Sequence, residues 1–198
     1  MNCRLFSDFN CPFCYAMHER LHALGLMGQV SWQGVQHARH LPLPMRPWSD
    51  HLARELRQEV EMVRRLAPEL RIALPAGKPN SGPAIVAAAC ALTIDALSGQ
   101  KFIRSLYRLF WVEGQDISNN ELLPREAERQ GLPPSVICGK TASPISDQLR
   151  TWETEWHETG HSGVPLLQRA DGALLVGLVP SLAITRFLTE DPLLQGIS

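Results

Sequence analysis

Apolar positions follow two different periods along this chain, and each change of period marks a predicted element. Cys3-Arg4-Leu5-Phe6-Ser7 is short, mostly apolar and closed by Asp8 and Asn10, the pattern of a buried strand. Tyr15, Met17, Leu21 and Leu24 then fall at roughly helical spacing, which predicts a helix from about Cys11 to Leu24, and Val30-Ser31-Trp32 with Val35 predicts a second strand. A long helical stretch follows. Ser49 is placed to cap a helix in which Leu52, Leu56, Val60, Val63 and Leu66 recur every three or four residues, while Arg54, Glu55, Arg57, Glu59, Glu61, Arg64 and Arg65 form a solvated face. Pro79, Gly82 and Pro83 break the chain, and with Ser81 as cap an Ala-rich helix is expected from Ala84 to Leu97, stopping at Gly99. Further helices are expected over about Lys101–Val112, Asn120–Gln130 and Ser146–Thr159. Strands return at Pro165-Leu166-Leu167-Gln168 and Leu174-Leu175-Val176, joined by the hairpin signal Asp171-Gly172, and Pro180-Ser181 opens a last helix through about Leu188.

Between the first strand and first helix lies Cys11-Pro12-Phe13-Cys14. Two thiols at i and i+3 on the first turn of a helix can close a small disulfide ring and reopen it. Cys11 sits at the helix N-terminus, where free N–H groups and the helix dipole favour a thiolate, so it is the expected attacker. Pro12 suits a first-turn position and Asn10 is a good capping residue. Cys14, one turn further in, is placed to attack a mixed disulfide on Cys11 and release the reduced partner. Phe13 brings contact to the site but neither charge nor a hydrogen-bond donor. The thiolate is therefore expected to depend mainly on the helix end.

Composition narrows the setting. The chain has 198 residues, is 44% hydrophobic and carries a formal charge of −1, enough for one good core and without electrostatic bias toward nucleic acid or a membrane. No 18-residue apolar run and no signal-peptide pattern is visible, which points to a cytoplasmic protein. Five cysteines cannot all pair, and such a compartment disfavours structural bridges.

Four pieces carry a resemblance that spans most of the chain: Asp8-Phe9-Asn10-Cys11-Pro12-Phe13-Cys14-Tyr15, Lys78-Pro79-Asn80-Ser81, Phe110-Trp111-Val112-Glu113-Gly114-Gln115-Asp116-Ile117-Ser118, and Gly163-Val164-Pro165. Together they resemble the DsbA-like branch of the thioredoxin superfamily, in particular its FrnE-like and 2-hydroxychromene-2-carboxylate isomerase/kappa-class glutathione transferase members. The resemblance implies an α/β, thioredoxin-like fold with an all-helical insertion between the second and third strands. Residues 1–40 and 161–198 would form the core and 41–160 the helical insertion, or lid. It also implies that Pro165 is cis and lies against the two cysteines, with Val164 offering its backbone to an extended substrate. Leu166-Leu167 stand where the relatives usually carry Thr and an aromatic residue.

The function expected from these features is thiol–disulfide exchange, with Cys11 and Cys14 catalytic and Phe13, Val164 and Pro165 contacting substrate. The alternative is a glutathione-dependent transferase or isomerase, in which the glutathione thiol does the chemistry, although those relatives usually carry Ser at the Cys11 position. A third reading is a binding module that uses the groove beside Pro165. The expected partner is a thiol or disulfide, protein or glutathione, with no bound cofactor, no metal, glutathione allowed as co-substrate and a homodimer compatible with the sequence. His18 and His22 continue the Cys14 face at i+4 steps, but Cys11 and His22 lie about 16 Å apart along a straight helix and cannot share an ion. They read as surface or packing histidines. His157 and His161 flank a helix end, and His161 is of interest for its nearness to Pro165. Cys3 and Cys90 read as buried small hydrophobes, Cys138 as a loop residue, and Phe110 and Trp111 as lid packing first and pocket walls second.

Overall fold

A computed structural model of the chain describes residues 3–137 and 143–189. Cys138 lies outside them.

The central sheet has four strands, β1 (Cys3–Ser7), β2 (Val30–Gly34), β3 (Leu166–Gln168) and β4 (Leu174–Val176), in the order β2-β1-β3-β4. β1 and β2 are parallel, as the helix between them requires, and pair Cys3 with Val30 through Ser7 with Gly34. β3 joins the other edge of β1 antiparallel, with Leu5 opposite Leu167, and β4 folds back on it through a turn in which Gly172 takes φ +86°. Apolar β1 is central, with Leu5 and Phe6 fully buried.

Eight helices surround the sheet among the described residues: α1 (Pro12–Ala23), α2 (Asp50–Leu66), α3 (Gly82–Ile94), α4 (Ala96–Trp111), α5 (Leu122–Arg129), α6 (Pro134–Ile137), α7 (Ser143–Glu158) and α8 (Ser181–Thr189). α1 packs on α2 and α4, whereas α7 lies on β2, where Trp152 meets Trp32 edge-on. Leu56, Val60 and Val63 are the buried stripe of α2, and most of its charged residues face solvent. The arrangement is a thioredoxin-like α/β fold with helices inserted between β2 and β3. None of the described helices is long and apolar enough to cross a membrane.

Three local expectations are corrected. Asn10 does not cap α1: Cys11 occupies the cap position with φ −103° and ψ 119°, and no side chain closes the helix end. The Ala-rich helix ends at Asp95, not at Gly99, because Asp95 is extended and its carboxylate accepts a hydrogen bond from Ser98 N at 2.7 Å, capping α4. Gly99 is instead a packing residue inside α4. A Cβ there would stand 2.8 Å from the Leu92 Cα and N of α3, so glycine lets the two helices touch backbone to backbone. The third correction is Ser81, whose hydroxyl makes no cap bond to α3 and accepts from Asn10 instead.

Candidate active site

The two cysteines stand where β1 hands over to α1. Both are free, with Cys14 fully buried and Cys11 6% exposed, so Cys11 is the thiol nearer to solvent. Its backbone N–H reaches back to Asp8 O at 3.3 Å, and its carbonyl accepts from Tyr15 N at 3.2 Å, which starts the helix. Asp8 N in turn donates to Cys14 Sγ at 3.4 Å.

The surroundings treat the two thiols in opposite ways. Burial alone would push Cys11 up, but a hydrogen bond from the Cys14 thiol, the charge of His37, the Cys14 backbone N–H and the charge of Lys78 together hold it below an ordinary cysteine. Cys14 is raised well above that value, first by burial and then by its bond to Cys11 and the charge Cys11 carries, although the Ser7 hydroxyl and Asp8 N–H oppose this. The surroundings thus favour the thiolate of Cys11 and disfavour that of Cys14.

Val164 and Pro165 close the site from the far end of the insertion. The Val164–Pro165 bond is cis, and Cys11 Sγ lies 3.5 Å from Val164 O in the sense of an S–H donor. Pairing between β3 and β1 begins at Leu166, so the Val164 backbone lies outside the ladder. Phe13 is half-buried and packs against the core.

Asn10 ties the motif to the stretch before α3. Its fully buried amide donates to Pro79 O at 3.1 Å and Ser81 Oγ at 3.4 Å. Asn80 continues the connection, accepting from Gln36 at 2.6 Å and donating to Leu41 O at 2.9 Å, so the 78–81 segment is laced to the loop after β2.

The partner of the dithiol that sequence reasoning missed is a carboxylate–imidazole pair. Asp8, fully buried, accepts from His37 Nδ1 at 2.7 Å and from His37 N at 3.0 Å through the same oxygen, Oδ2. Burial alone would depress the imidazole, but the hydrogen bond to Asp8, its charge and the charge on Cys11 raise it above the ordinary histidine value. A signal was available: Asp8 and His37 follow the two strands expected on either side of the first helix, and side chains just beyond the carboxyl ends of parallel strands joined by a helix converge. Their spacing of 29 residues hides this in the sequence.

The other candidates fall elsewhere. His18 is fully buried against Tyr107, at 5.0 Å between ring centres, with neither ring nitrogen paired among the described residues. Among those residues no group of three His, Cys, Asp or Glu side chains is arranged to hold a metal. His157 pairs with Glu153 at 3.1 Å and His161 is exposed. Cys3 and Cys90 are buried, and Phe110 and Trp111 are fully buried, with Trp111 Nε1 donating to Phe9 O at 2.8 Å just before the motif.

This architecture has known counterparts. A model of the DSBA-like thioredoxin domain matches residues 3–183. The chain belongs to that family. Solved structures similar to this DsbA-like domain include a candidate protein disulfide isomerase from Nitrosomonas europaea, at 17% identity and TM-score 0.77 over 98% of each chain. The cytosolic disulfide reductase DsbM from Pseudomonas aeruginosa, solved with GSH, is 18% identical with TM-score 0.70 over 96% of this chain and 93% of its own. A 2-hydroxychromene-2-carboxylate isomerase is 17% identical with TM-score 0.67, covering 98% and 95%. No curated protein matches the DsbA-like domain in sequence. At 17–18% identity these likenesses speak to the fold, and the chemistry rests on the chain's own residues.

Proposed function

We propose that this DsbA-like domain is a thiol–disulfide oxidoreductase that works through Cys11 and Cys14. The observation that carries the reading is the unequal placement of the two thiols: Cys11 is at the uncapped start of α1, 3.5 Å from Val164 O of the cis Val164–Pro165 turn, while Cys14 is fully buried one turn further in, and the surroundings favour the first thiolate over the second. A metal pair or two packing cysteines would have no use for such a division. Exchange needs it, because the attacking sulfur must be ionised while the resolving sulfur waits.

In this mechanism the Cys11 thiolate attacks a substrate disulfide, forming a bond from Cys11 to one substrate sulfur and breaking the substrate S–S bond. The departing sulfur takes a proton from solution. Cys14 then gives up its proton, attacks Cys11 Sγ and closes the protein disulfide, and the first substrate sulfur leaves with that proton. Two electrons pass from the dithiol to the substrate, which ends as two thiols, and the reverse sequence oxidises a dithiol. Val164 and Pro165 hold the incoming chain against Cys11, with the Val164 backbone, which lies outside the β3–β1 ladder, offering strand-like pairing, and Phe13 lines the approach.

Running insulin reduction and glutathione-transferase assays side by side on one preparation tests the reading. We expect insulin reduction that is abolished in Cys11→Ser. Transferase activity that persists in Cys11→Ser, with no insulin reduction in the parent, would favour the glutathione-dependent alternative instead.

A further inference from the structure

We propose that Asp8 and His37 form a counter-ion pair for the nucleophile, in which His37 supplies the positive charge that stabilises the Cys11 thiolate and Asp8 holds the imidazole protonated and in place. The inference rests on the reading of Cys11 as the nucleophile and names the group that makes it one. His37 is a positioning residue in this account, acting on Cys11 through charge.

Asp8 is the hub of the geometry. Its carbonyl holds Cys11 N, its N–H holds Cys14 Sγ, its Oδ1 accepts from Asn10 N at 3.3 Å, and its Oδ2 accepts from His37. One residue therefore fixes both thiols and the imidazole in a common frame. The carboxylate is fully buried, and the His37 imidazole lies on it at 2.7 Å with a quarter of its side chain exposed. A buried carboxylate without a charged partner is costly, so this contact favours the imidazolium against the opposing effect of burial. The groups that bear on His37 are Asp8 from the end of β1, Cys11 at the start of α1 and Lys78 from the segment before α3; the first two favour its charge and only Lys78 opposes it.

A purely structural role would be simpler, since the His37 backbone N–H already bonds Asp8 at 3.0 Å and fixes the loop. That bond survives any substitution of the side chain. The side-chain bond adds a charge that bears on Cys11 at the helix end, where Phe13 offers none.

The test compares the parent with His37→Gln and His37→Arg. Each reduced chain is treated with iodoacetamide across a pH series, and the Cys11 peptide is followed by mass spectrometry so that other cysteines do not contribute. His37→Gln keeps the backbone bond and loses the charge, so alkylation of Cys11 below its apparent pKa should slow about tenfold for each unit the pKa rises. His37→Arg keeps a charge and should recover most of the parental rate, which a loss of packing would not do. Equilibrium against glutathione buffers gives a second reading: without His37 the disulfide should be favoured, by about 30 mV in the reducing direction for a tenfold change in this two-electron couple. Profiles for His37→Gln and the parent that overlay, with an unchanged potential, would overturn the His37 assignment while leaving the dithiol reading intact. A parent that forms no Cys11–Cys14 disulfide in any glutathione buffer would instead remove the nucleophile, and this inference with it.

Discussion

Asn10 is a buried amide whose two donated bonds fasten the Cys11–Cys14 motif to the segment before α3, and its substitution separates hydrogen bonding from charge. Asn10→Ala leaves the Pro79 carbonyl without its donor in a buried place, which costs about 1–3 kcal/mol. Asn10→Asp should be worse. The carboxylate cannot donate to Pro79 O, and its charge, next in sequence to Cys11, raises the thiol that His37 and Lys78 hold down. Urea midpoints should therefore fall in the order parent, Asn10→Ala, Asn10→Asp, and Cys11 alkylation at pH 7 should slow in the aspartate variant; equal midpoints for the two variants would contradict the bonding described. The placement of Cys11 and Cys14 at the start of α1 and the cis Val164–Pro165 bond were legible in sequence because a short motif and a family element each carry local signals. Asp8 and His37 were not, since the contact joins residues 29 apart and depends on two loops meeting beyond a parallel strand pair.

Helices α3 and α4 show why one boundary was misplaced. Glycine after an Ala-rich run is an ordinary stop signal, and Asp95 is an ordinary cap; the sequence contains both within five residues, and tertiary packing decides between them. Asp95 breaks the helix, and Gly99 serves the close approach of α4 to Leu92. Gly99→Ala would gain roughly 1 kcal/mol of helix propensity. It would also drive a Cβ into backbone that cannot yield as a side chain does, with a cost of about 1–3 kcal/mol. The net change should be destabilising, whereas Leu97→Ala, at a position 62% exposed, should lie within about 0.5 kcal/mol of the parent. A thermal midpoint for Gly99→Ala at or above the parental value would show that the helices are less closely packed than the structure has them. Most other helices and the four strands lie where their apolar periods place them, but α6 falls where a loop is expected, and Leu52 and Leu66 of the expected α2 stripe are exposed.

For the whole molecule the least expected burden is His18, neutral and enclosed between His22 and Tyr107. Burial first, then the charges of His22 and Arg104, hold its pKa well below the ordinary histidine value. The unfolded chain binds a proton at His18 once the pH falls below about 6.5, while the folded chain does so only much lower. Stability contributed by the neutral ring is therefore complete above about pH 6.5 and declines as the pH drops toward the folded value. His18→Leu should flatten the fall in thermal midpoint between pH 7 and pH 5; a variant whose midpoint falls as steeply as the parent's would show that His18 is not the group responsible. The fold thus brings three distant segments, the β1–α1 junction, the loop after β2 and the Val164–Pro165 turn, to one point around a single sulfur. That Cys11 is the nucleophile is the central claim, and trapping tests it most directly. Cys14→Ser incubated with oxidised glutathione should gain one glutathione, held on the Cys11 peptide and stable without a resolving thiol, while Cys11→Ser under the same conditions should show none on Cys14; glutathione carried by Cys14 in Cys11→Ser, with Cys11 unmodified in Cys14→Ser, would contradict the account.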